Sequence, residues 1–295
     1  MNALRERRVV LAGFETRVLE LPAAAGAESP PLLLLHGFSD SADTWRPLMR
    51  LLAESGHGAV ALDLPGFGRA SRLHRDRPIL PQIDSVVASA LELVAADAPD
   101  GRVLLAGNSL GGCAALRAAQ RASSPLAGIV PIAPAGLDLA GWISAIEGAW
   151  AVQTVLRSPL PVPELVVRGM LGRTYRQLAS AHPADLDAEV VASFTRHVST
   201  KRDVVRLLGT GQRLRPEIRA PFQLGWIKCP VMVIWGERDR MVSPSGAQRI
   251  LDEVPSSRLE LIEDCGHCPQ VERPARVHDL IAAFTAGRVN SKAPG

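Results

Sequence analysis

Three residues of this chain have the types and order needed to break an acyl bond: Ser109 in the run Gly107-Asn108-Ser109-Leu110-Gly111, Asp239 in "VMVIWGERDRMV" and His267 in "LELIEDCGHCPQVERP". A serine hydroxyl is a weak nucleophile at neutral pH. It needs a general base, and the base needs a carboxylate to orient it. In G-x-S-x-G the serine occupies a strained strand-to-helix turn that lifts its hydroxyl off the sheet. The glycines let strand and helix approach, and the next helix offers N–H groups to a developing negative charge. A glycine-rich turn with an incidental serine reads the same on the pentapeptide alone. The order Ser…Asp…His adds weight, because each residue lies just past a short apolar run, and sites in open α/β sheets gather at the C-terminal ends of strands.

Those runs are "RVLELP", "PLLLLHG", "GAVALDLPG", "RVLLAGNS", "LAGIVPIAP", "CPVMVIWG" and "SRLELIEDCGH". Each is closed by Gly or Pro or runs on into a polar loop, and helical patterns lie between them, as expected for buried parallel strands of a doubly wound α/β sheet. "TWRPLMRLLAESG" places Trp45, Leu48, Met49, Leu51 and Leu52 on one helical face, and "DSVVASALELVAADA" predicts a helix capped by Asp84 or Ser85. "PAAAGAESPP" reads as a surface turn between two strands. The alternation stops after Pro134. Residues 137–224 are helical in period, rich in Arg and interrupted by "RSPLPVPE" and "AHPAD". That is too long for a loop, and it predicts an inserted helical cap, with 1–136 and 225–295 forming the core.

A chain of 295 residues, 47% hydrophobic and 21% charged, can bury a core of this size. Its net charge of +3 is mild, and no basic run interleaved with aromatics suggests nucleic acid. Within 137–224 Lys and Arg exceed Asp and Glu by as much as in the whole chain, so the electrostatic bias lies in the expected cap. No apolar leader follows the basic start and no run is long enough to span a bilayer, which predicts a cytoplasmic protein. The cysteines Cys113, Cys229, Cys265 and Cys268 form no disulfide framework pattern. Cys265-Gly-His-Cys268 lacks the second pair a zinc site needs and reads as packing around a histidine loop. "GFG" at 66–68 and "GTG" at 209–211 complete no phosphate-binding or dinucleotide pattern, so no metal or cofactor is expected.

With these motifs in place, the chain resembles the α/β-hydrolase family with a helical cap: "LLLLHGFSDSADTW" is similar to its oxyanion strand-loop, "GNSLGG" to its nucleophile elbow, "GERDRMV" to its acid loop and "CGHCPQVERP" to its histidine loop. The resemblance implies Ser109 as nucleophile, His267 as general base and then acid, Asp239 as orienting carboxylate, and the backbone N–H groups of Phe38 and Leu110 as oxyanion hole. It implies a small-molecule ester as substrate. "GNSLGG" is also similar to the elbow of meta-cleavage carbon–carbon hydrolases, but Cys268 stands where those enzymes usually carry tryptophan. A hydrolase fold kept as a non-catalytic ligand-binding protein is the reading from another class. The elbow serine excludes relatives that use an aspartate nucleophile.

Other residues compete for these roles. Asp63 follows a strand but precedes the elbow, and the resemblance implies that it is a structural turn residue. Glu237 and Glu263 read as loop carboxylates, and His36 as a brace of the oxyanion loop. His57, His74, His182, His197 and His278 lack a serine or acid at motif spacing and read as surface or capping residues. Arg168 or Arg173 would suit a substrate carboxylate, or simply face solvent. Trp142, Trp150, Phe194, Phe222 and Trp226 would line an acyl pocket or form the core of the cap.

Overall fold

The computed structural model describes residues 3–137, 162–184, 186, 191–192 and 195–289. An eight-stranded sheet runs in the order β1-β2-β4-β3-β5-β6-β7-β8. Its strands are β1 (Arg5–Leu11), β2 (Phe14–Leu21), β3 (Leu32–Leu35), β4 (Ala59–Leu62), β5 (Val103–Asn108), β6 (Leu126–Ile132), β7 (Val231–Gly236) and β8 (Ser257–Ile262). From β4 to β8 every pairing is parallel, whereas β2 runs antiparallel to both β1 and β4. All seven apolar runs form strands. "PAAAGAESPP" is the loop between β2 and β3.

The eighth strand, β1, is "RERRVVL", too charged to read as a buried run. It needs no second apolar face because it is an edge, paired only with β2. Its arginines ion-pair across the hairpin, Arg7 to Glu20 at 2.6 Å and Arg8 to Glu15. Charged edge strands of this kind discourage pairing with other chains.

Alternation along the central strands feeds two cores. Leu33, Leu35 and Leu105 point to the face covered by α2 (Ile79–Ala96), α3 (Leu110–Ala119) and α6 (Ala247–Glu253). Leu32, Leu34, Leu104 and Ala106 point to the face covered by α1 (Arg46–Glu54) and α8 (Pro274–Val289). Trp45, Leu48, Met49 and Leu52 are buried as the helical pattern predicts, and Leu51 is half-buried. Helix α2 is apolar and long enough to cross a bilayer by composition, but its buried face, from Ile79 to Val94, packs in the first core.

The N-terminus of α2 corrects the sequence reading. The helix begins at Ile79, after Pro78, a turn and a half before Asp84 and Ser85. Its first N–H groups are capped across the molecule by Glu217, whose two carboxylate oxygens accept from Ile79 and Leu80 at 2.8 Å each. Asp84 lies inside the helix and binds Arg117 at 3.0 and 2.5 Å.

Between β6 and β7 the described residues hold two long helices, α4 (Glu164–Ala179) and α5 (Lys201–Glu217), and no strand. Thr200 caps α5 in a reciprocal box with Asp203. Trp142, Trp150 and Phe194 lie outside the described residues. Phe222 is buried in the first core and Trp226 is exposed.

Candidate active site

Ser109 lies between β5 and α3, as the residue that caps α3, with φ 53° and ψ −111°. A side chain in this left-handed region is strained, and such strain concentrates at functional turns. The flanking glycines make the turn possible. A Cβ on Gly107 would lie 2.3 Å from the Gly111 carbonyl oxygen, and one on Gly111 would lie 2.2 Å from that of Leu35. The backbone of Ser109 is pinned from three sides: its N–H donates to Ile132, and its carbonyl accepts from Cys113 and Ala135, at 2.9 to 3.0 Å.

The loop after β3 runs against this turn. A Cβ on Gly37 would sit 3.3 Å from that of Ser109, which brings Phe38, the next residue, beside the elbow. Leu110 is the first residue of α3, so its N–H has no acceptor within the helix. His36 braces the loop: its Nε2 accepts from the Leu64 N–H at 2.8 Å, which leaves Nδ1 to donate to the Gly37 carbonyl at 2.7 Å. Full burial pushes this imidazole down to about 4, so it is neutral at physiological pH.

Asp239 and His267 are brought together at the other end of the same sheet edge. Asp239 follows β7 and His267 follows β8, and the two loops cross where a Cβ on Gly236 would lie 2.0 Å from the Gly266 carbonyl oxygen. Asp239 Oδ2 lies 2.7 Å from His267 Nδ1, with both side chains buried, 0% and 3% exposed. The other donors to the carboxylate are the Trp235 indole N–H at 3.0 Å and the backbone N–H groups of Met241 and Val242 at 2.7 and 3.0 Å. With Nδ1–H directed at this acceptor, Nε2 is left with a lone pair to take a proton.

Asn108, immediately before Ser109, ties the two halves. Its side-chain amide donates to the His267 carbonyl at 2.9 Å, so the elbow holds the histidine loop directly. The sequence reading did not single out Asn108 or Trp235. Both lie within motif segments, but their partners are set by the fold and not by spacing.

The competing residues divide cleanly. Asp63 is wholly buried and grips Arg17 through both oxygens, at 3.0 and 3.1 Å, while accepting from the N–H groups of Ala42 and Arg69 at 2.7 and 2.8 Å. It is a structural residue. Arg168 is paired with Glu164 one helical turn away at 2.5 Å, and Arg173 is exposed. His182 meets Asp264 at 2.7 Å on the surface.

His57 and His278, read as lacking a serine or acid at motif spacing, meet a serine in space. Both approach Ser55, at 2.9 and 3.0 Å, and His278 also meets Asp279 at 3.2 Å. Ser55 sits at the end of α1 with its hydroxyl 3.1 Å from the Leu51 carbonyl, on no glycine elbow, and Asp279 is exposed. This second Ser-His-Asp set lacks the turn that would raise a nucleophile and offer it an oxyanion hole.

Cys265 and Cys268 are buried free thiols, pushed up by burial. Cys268 packs with Tyr175, Ala179, Leu186 and Val191, so it joins the histidine loop to α4. Among the described residues no cluster of three or more His, Cys, Asp or Glu forms a metal site.

Lipase 1 of Psychrobacter immobilis is 26% identical over 257 residues, covering 86% of this chain and 76% of that protein. Human monoacylglycerol lipase ABHD6 is 26% identical over 269 residues, covering 89% and 77%. The crystal structure of a membrane phospholipase A described as a bacterial virulence factor superposes with a TM-score of 0.75 at 27% identity, covering 96% of this chain and 86% of that one. The profile of the alpha/beta hydrolase family matches residues 32–280. With that match lying over the elbow, the acid loop and the histidine loop alike, the chain belongs to the alpha/beta hydrolase family.

Proposed function

We propose that this protein is a serine hydrolase that cleaves carboxylic esters through an acyl-enzyme on Ser109. The observation that carries the reading is the buried Asp239–His267 pair at 2.7 Å, on a loop that Asn108 ties to the strained elbow serine. In the proposed reaction His267 Nε2 removes the Ser109 proton as Oγ attacks the ester carbonyl. The tetrahedral oxyanion is held by the N–H groups of Phe38 and Leu110, each contributing about 3 kcal/mol in comparable sites. The intermediate collapses, the imidazolium protonates the departing alkoxide, and a water activated by the same imidazole releases the acid. Asp239 keeps the ring in one tautomer and stabilises its cation.

The lipase names of the two curated relatives support an acyl ester as the bond. Residues 137–224 act as a cap, as the two long helices between β6 and β7 suggest. The pairing of Arg168 with Glu164 leaves it a poor anchor for the carboxylate that a meta-cleavage substrate would carry.

A panel of p-nitrophenyl esters of increasing acyl length, run beside one meta-cleavage product, tests the reading. Wild-type protein should hydrolyse the esters, with kcat/KM rising up to about fourfold per added CH2 until the pocket is full, and Ser109→Ala should be inactive while folded. Ester turnover retained by Ser109→Ala would remove the proposed mechanism. A meta-cleavage product turned over a hundredfold better than the best ester would move the bond to carbon–carbon. No turnover of any of them would favour a binding protein.

A further inference from the structure

We infer that Glu272 is a positioning residue through which the end of cap helix α4 holds the loop bearing His267; this rests on the function proposed above. Glu272 closes the short helix α7 (Pro269–Glu272), five residues past His267. One carboxylate oxygen, Oε1, accepts from the Gly266 N–H at 2.9 Å, on the residue before His267. The other, Oε2, accepts from the Ala181 N–H and the Ser180 hydroxyl, each at 2.9 Å, on the segment that leaves α4. The His267 N–H itself donates to the Ala179 carbonyl at 2.8 Å, the last residue of α4. The backbone of the proposed base is therefore held by the cap, and one side chain joins the two segments.

The fit leaves no slack. A Cβ on Gly266 would lie 2.7 Å from the Ala179 carbonyl oxygen, 2.7 Å from the Ala181 nitrogen and 2.9 Å from Glu272 Oε1. Packing of Tyr175 and Ala179 against Cys268 covers the other side of the loop. A carboxylate suits this place because both its oxygens face donors. A glutamine of the same size keeps one acceptor oxygen and turns an NH2 group toward the remaining partners, so it must give up either the Gly266 N–H of the loop or the Ala181 N–H of the cap. Position matters because a displacement of about 1 Å at a catalytic group, caused by a change away from the chemistry, can cost about 100-fold in rate.

The test uses the full-length chain as wild type, Glu272→Gln, Ser180→Ala and Ser109→Ala. Hydrogen exchange of the 265–272 segment is read together with steady-state ester kinetics, well below each variant's melting temperature. Glu272→Gln should exchange faster in that segment and lose between about 10- and 100-fold in kcat, with KM held within about twofold. Ser180→Ala, which removes one of the two donors to Oε2, should fall between it and wild type. A purely structural Glu272 would lower Tm and leave kcat of the folded variant unchanged. Unchanged exchange, or faster exchange with kcat within about twofold of wild type, would overturn the inference. Turnover retained by Ser109→Ala would instead overturn the reaction assigned to the site, and the exchange data would still decide whether Glu272 joins cap and loop.

Discussion

Asp63 and Asp239 both follow parallel strands, lie at the same edge of the sheet, and have side chains with no exposed surface. Their partners separate them. Asp63 faces the guanidinium of Arg17, itself 2% exposed, and Arg17 also holds Asp43. Burial opposes the charge on Arg17, but hydrogen bonds to Asp63 and Asp43 outweigh it and raise its pKa above the ordinary arginine value. Asp43 is likewise held down to about 2 against its own burial by Arg17 and Arg46. Arg17 and Asp43 therefore both stay charged near neutrality and exchange no proton there. Asp239 faces an imidazole, the one side chain whose ordinary titration spans physiological pH. Similar burial and similar strand position thus meet two different partners, a fixed cation and an imidazole, and the proposed roles differ accordingly.

The largest expected effect belongs to Asp239. Asp239→Asn should lower kcat for a p-nitrophenyl ester by up to about 10⁴-fold, because the amide no longer selects the Nδ1–H tautomer or stabilises the imidazolium. Asp63→Asn should act on stability instead. Leaving Arg17 buried with one partner fewer costs about 3 kcal/mol or more, read by urea denaturation, while the folded variant keeps most of its activity. Asn108→Ala should lie between these behaviours, with kcat roughly tenfold lower as the histidine loop loses its tie to the elbow. Comparable losses of kcat in Asp63→Asn and Asp239→Asn would erase the distinction between the two carboxylates.

A third acid sharpens the comparison with a smaller effect. Asp40, buried beside the Ser41 N–H and the Thr44 hydroxyl, is pushed up to about 7 by burial that its hydrogen bonds do not offset. Its folded-state value lies above its unfolded value, so the native state binds the proton more tightly. Its contribution to stability is therefore present at acid pH and lost as pH rises from about 4 to about 7. Asp40→Asn should gain in Tm relative to wild type across that window and hold the gain above it. A constant difference in Tm from pH 4 to pH 8 would contradict this.

The fold was legible where hydrophobic periodicity reported it. The seven apolar runs are strands, and the face of α1 is buried almost as written. Legibility failed where a distant group replaced a local one. The charged β1 is a strand because the hairpin with β2 supplies its partners, and α2 starts early because Glu217, well over a hundred residues downstream, caps it. The site divides in the same way. Ser109, Asp239 and His267 stand out because each ends a strand run, whereas Asn108, Trp235 and Glu272 act on atoms that sequence spacing does not reveal. The bracing role expected of His36 is seen in both of its hydrogen bonds.

Covalent labelling by a fluorophosphonate tests the division of labour between the two carboxylates without any assumption about substrate. Wild type and Asp63→Asn, both kept below their melting temperatures, should label at rates within a few-fold of each other, with the adduct mapped to Ser109. Asp239→Asn should label the same serine on the order of 10³-fold more slowly or worse. Equal labelling of the two variants, or an adduct on any other residue, would contradict the account.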